Sequence, residues 1–140
     1  MATPTTRSLE LPGPEGPERP DGGAVSVQVT SAAGWRPVIV LVGEARACTP
    51  FVERLSTAGF ATVACDLRSP ADLTTVLEAL ERGALGVDAV SYSVLQFAAD
   101  GSAVLSRVRA GERPAKPLDG VPVLAVGVDA MCRWLLRELR

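Results

Sequence analysis

Few side chains in this chain are able to do chemistry, and their spacing is the first constraint. There is no histidine at any position. A Ser-His-Asp or Cys-His relay therefore cannot be assembled from these residues alone, because the hydroxyl or thiol lacks its usual proton acceptor. Cys48, Cys65 and Cys132 are widely spaced and include no Cys-x-x-Cys pair. That pattern suits free thiols in a reducing cytoplasm, acting as small apolar residues; it suits neither a disulfide framework nor a zinc site. What remains is Ser91 and Ser93 near the end of an apolar run, with scattered carboxylates at Glu44, Asp66 and Asp100. By default these carboxylates are solvated loop, turn or cap residues.

The elements that must position these groups follow from composition and periodicity. At 140 residues, 47% hydrophobic and 21% charged, the chain has the makings of one globular domain with its own core. Its net charge is −2 and its Lys and Arg residues form no stripe, so nothing supports nucleic-acid binding. The apolar runs are too short to span a bilayer, and no signal-peptide pattern opens the chain. A cytoplasmic location without membrane contact is the expectation.

Residues 1–23 alternate Pro4, Pro12, Pro14, Pro17 and Pro20 with Gly13, Gly16, Gly22 and Gly23, and read as a disordered tail. The folded domain is expected over 24–140. In 24–29 the residues Val25, Val27 and Val29 alternate with Ser26 and Gln28, the period of a half-buried strand at a sheet edge. Val38–Val42 is a continuous β-branched run, as in a strand covered on both faces. Thr49 is placed to cap a helix with Pro50 at its first position; Phe51, Val52, Leu55 and Ala58 share its face, and Gly59 stops it. Residues 60–65 form the next strand. Ser69-Pro70-Ala71-Asp72 opens a helix in which Leu73, Val76, Leu77 and Leu80 recur at helical spacing until Gly83. Residues 87–94 read as a third strand. A helix carrying Ala103, Val104 and Val108 follows Asp100-Gly101, then a buried strand over 121–126. Asp129 caps a last helix, where Met131, Trp134, Leu135 and Leu139 share a face. Such alternation implies a doubly wound, mostly parallel sheet with its site at the carboxyl ends of the strands.

Residues 88–110, DAVSYSVLQFAADGSAVLSRVRA, resemble the central stretch of response-regulator receiver domains. In that register Ser93 stands at the phosphoacceptor position, Asp100-Gly101 at the following loop and Val104-Leu105 at the next helix. The flanks agree over about 37–130. The resemblance implies a CheY-like, flavodoxin-like sheet, truncated after the fourth receiver strand and its helix and carrying an extra N-terminal strand. It also implies a degenerate pocket. Gly43-Glu44 replaces the acidic pair that holds the metal, Ser93 replaces the aspartate, Gly127 or Val128 stands where a hydroxyl belongs, and no lysine follows Val121. The phosphate clamp, the metal site and the nucleophile are all depleted.

The resulting expectation is a non-enzymatic, phosphorylation-independent pseudo-receiver, needing no cofactor or metal. It would act as a signalling adaptor or dimerisation module with a regulatory protein partner or a second copy. The candidate pocket is Gly43, Glu44, Ser93 and Gly127, with Ser93 either a vestigial phosphoacceptor or simply a small residue at a strand end. The candidate interface is Met131, Trp134, Leu135 and Leu139; Trp134 equally suits packing on the chain's own sheet. Residues 24–29, or another copy, would cover the sheet edge beside 121–126. The alternative is a small-ligand-binding or enzymatic domain, such as a reduced α/β-hydrolase using Ser91 or Ser93. Against it, Ala89-Val90-Ser91-Tyr92-Ser93 lacks the glycines of a nucleophile elbow.

Overall fold

The computed structural model describes residues 4–11, 25–32, 35, 38–66, 70–87, 91–97, 103–109, 121–123 and 128–139. Among the described residues seven strands form one sheet, in the order β1-β2-β4-β3-β5-β6-β7. They are β1 (Thr5–Leu11), β2 (Val25–Ser31), β3 (Val38–Val42), β4 (Ala61–Cys65), β5 (Ser91–Phe97), β6 (Ala103–Arg109) and β7 (Val121–Val123). Among the described residues the helices are α1 (Ala45–Thr57), α2 (Pro70–Glu81) and α3 (Val128–Leu139). Only the centre is parallel, with β4 and β5 each pairing in parallel with β3. Outside it β1, β2 and β4 pair antiparallel on one side, and β5, β6 and β7 on the other. The α/β class holds, in a mixed sheet where a mostly parallel one was expected.

Strand alternation divides the core in two. Val27, Val29, Val40, Val63 and Val94 face α2, which returns Leu73, Val76, Leu77 and Leu80 at the spacing read from the sequence. On the opposite face Ile39, Leu41, Leu95 and Leu105 meet Phe51 and Leu55 of α1 and Leu135 of α3. Each such buried aliphatic side chain contributes roughly 1.5–3 kcal/mol from removal of apolar surface. Gly59 and Gly83 sit at φ +88 and +79 and end α1 and α2, where a left-handed residue closes the last turn.

Several expectations are corrected. Thr5–Leu11, inside the segment expected to be a tail, forms β1 and pairs along its whole length with β2; residues 12–24 lie outside the described residues. Helix α1 starts at Ala45 with Glu44 as its N-cap, so Pro50 lies inside the helix and Thr49 does not cap it. Ala103–Arg109 is a strand, not a helix: Ala103 and Leu105 point into the α1–α3 core, Val108 into the other, and the pairing with β5 runs from Ser91↔Arg109 to Phe97↔Ala103. Strand β7 pairs antiparallel with β6 over Val121–Val123. Residues 24–29 do not cover it, because β2 lies between β1 and β4 at the other side of the sheet.

Candidate functional site

The carboxyl ends of β3 and β4 meet the start of α1 at a cavity of about 350 Å³. Gly43 leaves β3 and donates its N–H to the Cys65 carbonyl at 3.0 Å, holding the two strand ends together. Glu44 follows in extended conformation, and its carbonyl accepts the N–H groups of Ala47 and Cys48 at 2.9 and 3.1 Å. This hydrogen-bonded turn directs Cys48, Thr49 and Val52 onto one wall of the cavity. The opposite wall is built by Ser8 of β1 with Ser26 and Gln28 of β2, the wet positions of the alternating strands. Between the walls lie Gly43, Ala64 and Cys65, with Asp66 just beyond β4.

Both thiols here are held in the protonated form. Cys48 is 2% exposed, and its Sγ lies 3.7 Å from the Gly43 carbonyl oxygen. Burial, and secondarily the charge of Asp66, push its pKa up to about 11. Cys65 contacts the Leu41 carbonyl at 3.7 Å and is pushed up further by burial, then by Cys48, Asp66 and Asp72. Away from the cavity, burial raises the Cys132 thiol against a smaller opposing effect of Arg54. Among the described residues no group of three or more His, Cys, Asp or Glu side chains is placed to hold a metal ion. No described helix is long and apolar enough to cross a membrane.

Of the sequence-derived pocket, Gly43 lines the cavity. Glu44 is an exposed helix cap beside Arg46, 3.8 Å away. Ser93 belongs to neither: it is buried in the middle of β5, opposite Ile39 and Arg107, because the strand continues through Val94, Leu95 and Gln96 to Phe97. Gly127 lies outside the described residues. On α3, Leu135 is fully buried in the chain's own core and Trp134 packs partly against it; Met131 and Leu139 belong to the same helix. Sequence reasoning missed Cys48, Thr49 and Gln28. The available signal was that the loop after the first parallel strand leads straight into α1, which brings that helix's first turns to the strand ends.

No family model matches the chain, and no curated protein does. Among solved structures, "The structure of esterase Est22" is similar at a TM-score of 0.52 and 14% identity, over 68% of this chain and 36% of that one. A hyperthermophilic esterase from the archaeon Pyrobaculum calidifontis gives 0.44 at 18% identity, over 68% and 36%. Carboxyl esterase 2 from the mycorrhizal fungus Tuber melanosporum gives 0.42 at 24% identity, over 64% and 34%. The likeness to Est22 is one of fold, and the chain spans about a third of that structure's length. It overturns the receiver kinship, and with it the non-enzymatic, response-regulator adaptor reading, because the sheet it matches is an esterase's.

Proposed function

We propose that the chain is a small-ligand-binding domain on an α/β-hydrolase-type sheet, taking an organic molecule into the cavity between α1 and the β1–β2–β4 side. The cavity carries this reading. Its volume of about 350 Å³ falls in the range of small-molecule pockets, and it pairs an apolar surface of Val52 and Ala64 with hydroxyl and amide groups. It also lies at the carboxyl ends of parallel strands, where open α/β sheets receive ligands. Titrating short esters such as ethyl butyrate while following backbone amide resonances tests it. Shifts confined to Gly43, Thr49, Val52 and Ala64, and lost in Val52→Trp, support the reading; shifts elsewhere, or none, refute it.

Ester turnover is a second reading, supported by the likeness of fold to an esterase. Two features of the hydrolase arrangement are altered here. Strand β5 leads into β6, so neither Ser91 nor Ser93 stands on a strand-to-helix turn. The Gly43 N–H, at the loop that supplies an oxyanion donor in such enzymes, is already given to Cys65. The nucleophile at this cavity would be Cys48. Cys48 has no adjacent base among the described residues and is held protonated, so the step would begin with loss of the thiol proton to hydroxide at alkaline pH. The thiolate would attack the ester carbonyl and expel the alkoxide, which takes a proton from water. Water would then cleave the acyl thioester to the acid and the free thiol. Release of p-nitrophenol from p-nitrophenyl acetate that disappears in Cys48→Ser supports turnover; equal release by both proteins refutes it.

A further inference from the structure

We infer that the molecule taken by this cavity carries a positive charge, a primary ammonium group on a short aliphatic body, with Asp66 as its counter-ion. The inference rests on the ligand-binding reading above and adds the chemical class.

Charge decides the class. Asp66 is the charged side chain among the described lining residues, and it is exposed at the end of β4 where an entering group meets it. Across the cavity Ser8, Ser26 and Gln28 supply oxygens able to accept further N–H bonds, and an ammonium has three donors to place. A carboxylate or phosphate would instead face Asp66 without a described lining cation to offset the repulsion. Arg46, in the first turn of α1, has its side chain 94% exposed and lies 3.8 Å from Glu44. The start of α1 also carries a negative charge. Glu44 stands at that end, and the Ala47 and Cys48 amides are spent on its carbonyl.

The raised pKa of Cys48 fits the same field. Asp66 opposes a second negative charge within its reach, and by the same sign it favours a positive one. Val52 and Ala64 then face the ligand's hydrocarbon portion, while the protonated Cys48 thiol offers a small, weakly polar surface.

Three probes of matched size test the assignment: hexylammonium, hexanol and hexanoate, titrated at pH 7 into the full chain and into Asp66→Asn, with backbone amide resonances as readout. The expected order of affinity is amine, alcohol, acid. Asp66→Asn should lower the amine's affinity roughly fivefold, the scale of a partly solvated ion pair, and leave hexanol unchanged. Unchanged hexanol binding also shows that the variant is folded. Hexanoate binding as well as hexylammonium, or an amine preference that survives Asp66→Asn, overturns the charge assignment and leaves the cavity as a site. Failure of all three probes to perturb Gly43, Thr49 and Val52 overturns the ligand-binding reading and this inference with it.

Discussion

A Cβ added at Gly43 would lie 3.0 Å from Cδ2 of Phe97 and 3.2 Å from its Cβ, so the end of β3 is closed to any side chain by the end of β5. Phe97 has little room to yield, since its ring packs against Phe51 with centroids 5.0 Å apart at 47°. Gly43→Ala should therefore cost about 1–3 kcal/mol by overpacking, read as a lower midpoint in urea at unchanged slope. Phe97→Leu made in the Gly43→Ala background should recover part of that loss. Simple additivity of the two substitutions would mean that the contact does not constrain this corner.

On the other side of the sheet, Arg7 of β1 donates from Nη2 to the Leu85 carbonyl at 2.6 Å, fastening the outermost strand to the turn after α2. Gly86 follows at φ +76, with the same guanidinium where its Cβ would go. Arg7→Met removes the bond while keeping the aliphatic stem, and should cost about 1 kcal/mol. Hydrogen exchange should then quicken in β1 well before β3 or β5. Gly86→Ala should destabilise more than Gly83→Ala, although both glycines have positive φ, because nothing lies within 4 Å of a Cβ at Gly83.

The central layer was readable because its signals are local. Continuous β-branched runs, the Leu73–Val76–Leu77–Leu80 spacing and the stops at Gly59 and Gly83 each point to an element that exists. The flanks were not. Leu9 and Leu11 alternate as β1 requires, but proline and glycine surround them, and the pairing with β2 that makes them a strand is not visible locally. Ala103, Val104 and Val108 after Asp100-Gly101 read as a helix from their own spacing, and the receiver resemblance repeats that reading. The alternation of Ala103–Arg109, with Ala103 and Leu105 on one face and Val108 on the other, is what the sheet uses. The cavity was hidden for the same reason: Ser8, Ser26, Val27 and Gln28 of its lining come from β1 and β2, so its position depends on the strand order β1-β2-β4.

Tyr92 and Glu81 join β5 to the end of α2, the phenol donating to Oε2 at 2.7 Å from a ring that is 3% exposed. A hydrogen bond from a neutral donor to a carboxylate in such a place is worth about 1.5–3 kcal/mol. Tyr92→Phe should lower stability by that order without changing the unfolding slope. Adding Glu81→Gln to Tyr92→Phe should then cost less than Glu81→Gln does in the wild type. Identical costs in both backgrounds would show that the two side chains are not coupled.

The last prediction follows from the Cys48 thiol, whose pKa rises from 9.0 to about 11 on folding, mainly through burial and then through Asp66. Above pH 9 the unfolded chain releases this proton more readily than the folded one. The unfolded state then binds fewer protons, and stability falls as pH rises. The stabilisation is fully present below pH 9 and is lost between about 9 and 11. Cys65, pushed up in the same direction, acts with it. Melting temperature should therefore drop through this window, and less steeply in Cys48→Ser. Since the thiolate is the reactive form, iodoacetamide labelling of Cys48 in the folded protein should rise about tenfold per pH unit from 7 to 10. Asp66→Asn should speed labelling at any given pH by removing the opposing charge. A labelling rate that levels off below pH 9 would show that burial does not hold this thiol protonated.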